Sequence, residues 1–179
     1  MRVAESAGGQ PKSPLERFGY ILDRLHRLVL SAITREEEDE PSLLPTAVEE
    51  MLRYVSTFIA FFRSATKDTE LRGVPVKEGD RVAMFYPSAN RDEAHFVDPD
   101  RFDVTRKPNP HLAFSGGGAH FCLGANLARV EAGALVSEVL SRMKNMELAG
   151  PIERMPSTLI NGIHSMPVRF TPARRVGAC

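Results

Sequence analysis

Apolar residues recur at Leu15, Phe18, Ile21, Leu22, Leu25, Leu28, Val29 and Ile33, a spacing that predicts an amphipathic helix over 15–33. Residues 35–40 are all charged and read as a solvated linker. A second helix is expected from Pro45, where a proline costs no hydrogen bond, with Ala47, Val48, Met51, Leu52 and Val55 as its apolar face. Glu49 and Glu50 lie in its early turns, toward the positive end of the helix dipole. From Phe58 the pattern turns toward strands. Residues 74–76, a turn at 77–80 and residues 81–85 predict a β-hairpin. Residues 88–109 are polar and punctuated by Pro99 and Pro108, and they predict an ordered meander that buries Phe96 and Phe102.

Ser115 and three glycines then interrupt all regular structure. A long helix is expected from near Cys122 to about Met143. Its apolar positions (Leu127, Val130 and Ala134; Ala128, Ala132, Leu135, Val139 and Met143) form a stripe broad enough for a buried core helix. Gly150-Pro151 closes this region, and short strands are expected at 158–160 and 168–170. No internal repeat is present.

Composition narrows the function classes. Basic and acidic residues balance at 23 each, so no nucleic acid or anionic membrane is expected as a partner. The two cysteines, Cys122 and Cys179, form no CxxC pair and no CxxCH run, which argues against a zinc site or a covalently attached haem and for a reducing compartment. Residues 1–14 are polar and lack the apolar centre of a signal peptide, and no apolar run reaches spanning length, so a cytoplasmic protein is expected.

The chemistry concentrates in Phe114-Ser-Gly-Gly-Gly-Ala-His120-Phe-Cys122-Leu-Gly124-Ala-Asn-Leu-Ala-Arg129. A cysteine at a helix N-terminus has its thiolate favoured by the dipole, and flanking glycines let a flat group approach the backbone. Gly124 would keep the first helical turn clear of a large planar ligand. A phosphate loop would need a lysine-bearing or GxGxxG pattern, which is absent. A phosphatase-type loop needs an arginine six positions after the cysteine, and Arg129 comes seven after. A nucleophilic Cys122 beside His120 stays open, as does a buried, inert cysteine.

The segment GGGAHFCLGANLAR resembles the haem-binding loop and following helix of the cytochrome P-450 family. Cys122 matches the axial iron ligand, whose thiolate pushes electron density into the iron and favours O–O cleavage. His120 matches the basic position that contacts a haem propionate, and Gly118 the glycine four before the cysteine. The family's aromatic usually stands seven residues before the cysteine. Here that residue is Ser115 and Phe114 comes one earlier, a longer loop similar to that of some bacterial steroid- and lipid-hydroxylating members.

Three further segments match in order. Glu50-Met-Leu-Arg53 resembles the ExxR motif, in which residues three apart share a helix face. Pro99-Asp-Arg101-Phe102 resembles the meander motif whose arginine completes that ion network, and Asn90-Arg91-Asp92 the segment that opens the meander. Arg63 resembles the arginine that pairs with a haem propionate, for which a guanidinium is well suited.

The resemblance therefore implies a mainly α fold with small β-sheets, the C-terminal part of the cytochrome P-450 fold: ExxR helix, β-hairpin, meander, Cys loop and long proximal helix. Residues 1–40 read as a divergent leader and helix, 41–172 as the haem-binding region and 173–179 as a tail. It implies heme b (iron protoporphyrin IX) as cofactor. The implied activity is insertion of oxygen from O2 into C–H bonds, with ferredoxin and ferredoxin reductase-type donors and a hydrophobic small molecule, a steroid or lipid, as substrate. Residues 101–144 carry six cations (Arg101, Arg106, Lys107, Arg129, Arg142, Lys144) against Asp103, Glu131 and Glu138, an excess suited to an acidic redox protein. The family's oxygen-activating distal helix has no match, since Asp23 and Thr34 lack its pattern. No catalytic residue is therefore assigned, and this chain alone is expected to hold haem weakly without hydroxylating substrate. The alternatives are a non-catalytic remnant of such an enzyme, a cysteine-nucleophile hydrolase using Cys122 and His120, and an interaction module built on residues 15–33.

Overall fold

The computed structural model describes residues 41–173, so the predicted helix at 15–33 and Cys179 lie outside the described residues. After a 3-10 turn at Pro41–Leu43, helix α1 runs Leu44–Val55, with Pro45 in its first turn as expected. Glu49 and Glu50 sit beyond that first turn, so the dipole is not what they serve. The buried side chains of α1 are Ala47, Val48, Glu50, Arg53 and Tyr54, and the face turned inward thus runs through a charged pair. The helix ends on Ser56, whose left-handed backbone (φ 48°) would be costly for a side chain left unsupported. Its hydroxyl donates to the Arg53 carbonyl at 2.8 Å and accepts from Asn90 Nδ2 at 2.9 Å, which offsets that cost.

Strands β1 (Ala60–Ser64), β2 (Thr69–Leu71), β3 (Val74–Val76) and β4 (Arg81–Phe85) follow. The predicted pairing of 74–76 with 81–85 does not form. Instead β3 pairs antiparallel with β2, and β4 with β1 in the register Phe62↔Ala83. The reason is a tighter turn upstream. Arg72 and Gly73 both have positive φ, 48° and 80°, the geometry that closes a two-residue hairpin. The 77–80 turn exists, closed by Asp80 N–H to the Lys77 carbonyl at 3.0 Å, but it hands the chain from one hairpin to the other.

A short helix α2 (Tyr86–Ala89) opens the irregular meander. Phe96 and Val104 are buried there, and Phe102 meets the Tyr54 ring edge-on at 5.3 Å. Helix α3 (Ala125–Arg142) follows the glycine-rich loop and passes straight into strand β5 (Met143–Leu148), which the sequence pattern did not reveal. Strands β6 (Glu153–Arg154), β7 (Ile163–Ser165) and β8 (Val168–Pro172) complete two more antiparallel pairs, β5–β8 and β6–β7. The strand expected at 158–160 reduces to one bridge, Ile160 to Phe58.

Helix α3 is not the buried core helix that its stripe predicts. Val136 and Leu140 pack beside Tyr54, but Leu127, Val130 and Leu135 are exposed. Among the described residues no helix is long and apolar enough to cross a membrane.

Candidate functional site

The glycine-rich loop is bent by positive φ at Ser115 (79°), Gly117 (102°) and Gly118 (74°), which is why two of these positions are glycine. A 3-10 turn at Gly118–His120 follows, and α3 begins at Ala125 with Gly124 as its N-cap. The loop closes on itself where Cys122 N–H donates to the Phe114 carbonyl at 3.1 Å, and Ala125 N–H then donates to the Cys122 carbonyl at 3.1 Å. Cys122 is a free, exposed thiol. A methyl at Gly124 would stand 3.9 Å from its sulfur, so glycine leaves that side of the thiol open.

A cavity of about 240 Å³ is lined by Cys122, His120, Arg63 and Phe114, with Phe61 and Tyr86 on its aromatic wall. A neighbouring cavity of about 450 Å³ shares Arg63, His120 and Tyr86 and extends over Gly116 and Gly117. The fold thus brings a thiol, two basic side chains and an aromatic surface to one depression, from β1, the start of α2 and the loop. Arg63 is exposed; its guanidinium donates to the adjacent Phe62 carbonyl at 2.9 Å and meets no carboxylate among the described residues. No hydrogen bond links His120 to Cys122 among the described residues. Nor do three His, Cys, Asp or Glu side chains converge there as a metal-binding cluster.

Under the loop lies a buried ion network. Arg53 and Glu50, neither exposed, form a two-pronged pair at 2.8 and 2.7 Å. The remaining capacity of Arg53 is filled by the carbonyls of Asn90 (2.7 Å), Pro99 (2.8 Å) and Arg101 (3.2 Å). Glu50 also accepts from Asp103 N–H at 2.9 Å, from Asn109 Nδ2 at 3.1 Å and from Arg106 Nε at 3.1 Å. The arginine that completes the network is therefore Arg106. Arg101 is exposed and contributes its carbonyl alone, because the meander turns at Asp98 (φ 46°) and again at 103–106 and so swings the later arginine inward. Asn90 extends the network to the loop by accepting Leu112 N–H at 2.7 Å.

Three residues with no assigned role in the site form a second charged group. Arg129 from α3 donates through Nε and Nη2 to both oxygens of Glu49, at 2.5 and 3.0 Å. The same carboxylate meets His111 Nε2 at 2.9 Å. Burial alone would raise the Glu49 carboxyl, but the hydrogen bonds and charges of Arg129 and His111 outweigh it and hold the group below its usual value. Burial pushes His111 down, more than the facing Glu49 raises it, so the ring is neutral near pH 7. This pairing also reduces the cationic surface expected over 101–144. Arg106 and Arg129 are turned to internal carboxylates, and Arg142 pairs with Glu138 at 2.5 Å.

Comparison with known proteins bears directly on this loop. The family model described as Cytochrome P450 matches residues 30–162. The chain is 45% identical over 136 residues to cytochrome P450-terp of Pseudomonas sp, covering 76% of this chain and 32% of that protein. It is 47% identical over 133 residues to the methyl-branched lipid omega-hydroxylase of Mycobacterium tuberculosis, covering 74% and 31%. Among solved structures it resembles CYP108D1 from Novosphingobium aromaticivorans with a TM-score of 0.75 and 38% identity, over 85% of this chain and 38% of that one. The chain spans about a third of the length of these curated relatives.

Proposed function

We propose, from the premise that this chain belongs to the cytochrome P450 family, that it is the proximal haem-binding part of a haem-thiolate monooxygenase. In this reading Cys122 would be the axial ligand of heme b, and His120 and Arg63 would pair with its propionates. Phe114 would pack beside the thiolate, and Gly124 would keep the space at the sulfur open. The observation that carries the reading is that Cys122, His120, Arg63 and Phe114 line one cavity. Its chemistry fits a flat apolar macrocycle that carries two carboxylates and a metal: a thiol for the metal, two basic side chains for the carboxylates, aromatic walls for the ring. The nucleophile reading lacks its base, since His120 is exposed and makes no hydrogen bond to Cys122 among the described residues.

When bound, the haem supplies oxygen activation, and in the whole enzyme the reaction would insert one oxygen atom into a C–H bond. The residues of this chain hold and orient it. The Glu50–Arg53–Arg106 network fixes the meander beneath the loop, and residues 41–172 act as one haem-binding region. The name of the mycobacterial relative, a methyl-branched lipid omega-hydroxylase, supports a hydrophobic substrate of the lipid class. Electrons would come from a ferredoxin and its reductase in a cytoplasmic setting.

The test is a reduced, carbon-monoxide difference spectrum of the chain after haemin addition. A strongly red-shifted Soret band that Cys122→Ala abolishes is the expected result. Absence of that band in the parent chain would remove Cys122 from the role of iron ligand.

A further inference from the structure

The group formed by Glu49, His111 and Arg129 sits apart from the cavity, yet each member leads to Phe114. Arg129 lays its guanidinium over the Phe114 ring, 4.7 Å from the centroid. The His111 ring lies 6.1 Å from the same ring. Its Nδ1 accepts the Ala113 N–H at 3.2 Å, immediately before Phe114 in the chain. An accepting Nδ1 leaves the proton of a neutral imidazole on Nε2, where it is donated to Glu49. Phe114 in turn accepts the Cys122 N–H on its carbonyl. The path therefore runs from a carboxylate on α1, through an imidazole on the meander and a guanidinium on α3, to the peptide that holds the cysteine. Each link is a directional hydrogen bond or a stacked cation, and the Arg129 fork on Glu49 is bidentate, the geometry that fixes orientation as well as distance.

We propose that Glu49, His111 and Arg129 form a positioning clamp that fixes Phe114 and, through the Phe114 carbonyl, the backbone of Cys122. None of the three touches the reacting group. They act on it by locking the loop from both sides, with α1 and α3 as jaws. The functional meaning of the clamp rests on the reading of Cys122 as iron ligand, but its structural effect does not. The Glu50–Arg53 pair holds the meander, whereas Glu49, one residue earlier on the same helix, holds the loop.

The discriminating measurement is site-resolved amide hydrogen exchange on the full chain without haem, in Glu49→Gln, Arg129→Gln and the double variant. The Cys122 amide is expected to exchange roughly tenfold faster in each single variant, the scale set by losing one hydrogen bond to a charged group. The double variant is expected to be no worse than either single, because the residues act as one unit. The Asp103 amide, held by Glu50, should keep its protection. A Cys122 amide unchanged in both single variants, or one that speeds up only in step with Asp103, would overturn the clamp. Should Arg129→Gln unfold the chain, Arg129→Lys reads the same amide with the charge kept and the fork removed. With haemin added, the thiolate-type carbon-monoxide band of the parent should give way in Arg129→Gln to the form with neutral thiol. A parent without any thiolate band would refute the haem reading and leave the exchange result to decide the clamp.

Discussion

Arg106 and Arg101 are five residues apart, and the structure gives them opposite fates. Arg106 has its side chain 9% exposed and bonded to Glu50, whereas Arg101 lies at the surface and reaches the network through its carbonyl alone. Removing one partner of a buried, fully bonded ion network leaves an uncompensated charge. Arg53→Ala should therefore cost about 3–5 kcal/mol in a denaturant titration, with Arg106→Ala costing less but clearly measurable. Arg101→Ala should stay within about 0.5 kcal/mol of the parent, as surface changes do. A large loss at Arg101 with none at Arg106 would reverse the assignment. His111 carries a second residue-scale consequence. Its folded pKa lies below the ordinary value of 6.5, so the unfolded chain binds more protons just beneath that pH. Stability is then full above about pH 6.5 and falls as pH drops through the folded pKa. Protonation would also set an Nδ1–H against the Ala113 N–H. Glu49, depressed in the fold, adds a further loss at lower pH. The unfolding temperature of the haem-free chain should thus decline between pH 7 and pH 5, and His111→Gln should flatten that decline. An identical slope in the variant would discharge His111 from the effect.

At the scale of elements, legibility followed the kind of force involved. Helix α1 was readable because Pro45 and the apolar spacing are local signals, and the order of helix, strands, meander, loop and helix followed from turn residues alone. The hairpins were misassigned because pairing depends on which turn closes first. An Arg72-Gly73 turn with two positive φ values carries a weaker sequence signature than Lys77-Glu-Gly-Asp80. Strand β5 was missed because its residues alternate weakly and its partner β8 lies far along the chain, with Leu148 paired to Val168 and Met143 to Pro172. In the site, Cys122, His120, Arg63 and Phe114 were legible from the loop and its ordered neighbours, and the structure brings all four to one cavity. Glu49, His111 and Arg129 were not. Glu49 reads as a dipole charge and Arg129 as one of several cations, and His111 carries no signal of its own, since nothing in linear spacing says that three elements converge. A pair of acids at 49 and 50, on adjacent helical positions ahead of Arg53, was the one available hint that two separate cations would be needed.

For the whole molecule, the distribution of burial decides what holds it together. The fully buried side chains include Glu50, Arg53, Ser56 and Asn90 beside Tyr54 and Val104, so polar satisfaction stands where an apolar centre would usually lie. Leu123, Leu127, Val130 and Leu135 meanwhile face outward on and beside α3. Among the described residues apolar burial is thin, and a ligand that binds the folded state should weigh heavily in their stability. Haemin is the ligand the cavity suits. Mass action gives about 2.7 kcal/mol of added stability at a free ligand concentration a hundredfold above the dissociation constant. The unfolding temperature should therefore rise with haemin concentration and return when haemin is removed. If, as proposed, the thiol is the metal-binding group and Arg63 a propionate partner, Cys122→Ala should remove most of that rise, whereas Arg63→Gln should lower it by weakening a carboxylate contact and leave the carbon-monoxide band position unchanged. A rise of equal size in Cys122→Ala would mean that haemin is held by the aromatic walls without the sulfur, and the proximal assignment would then have to be abandoned.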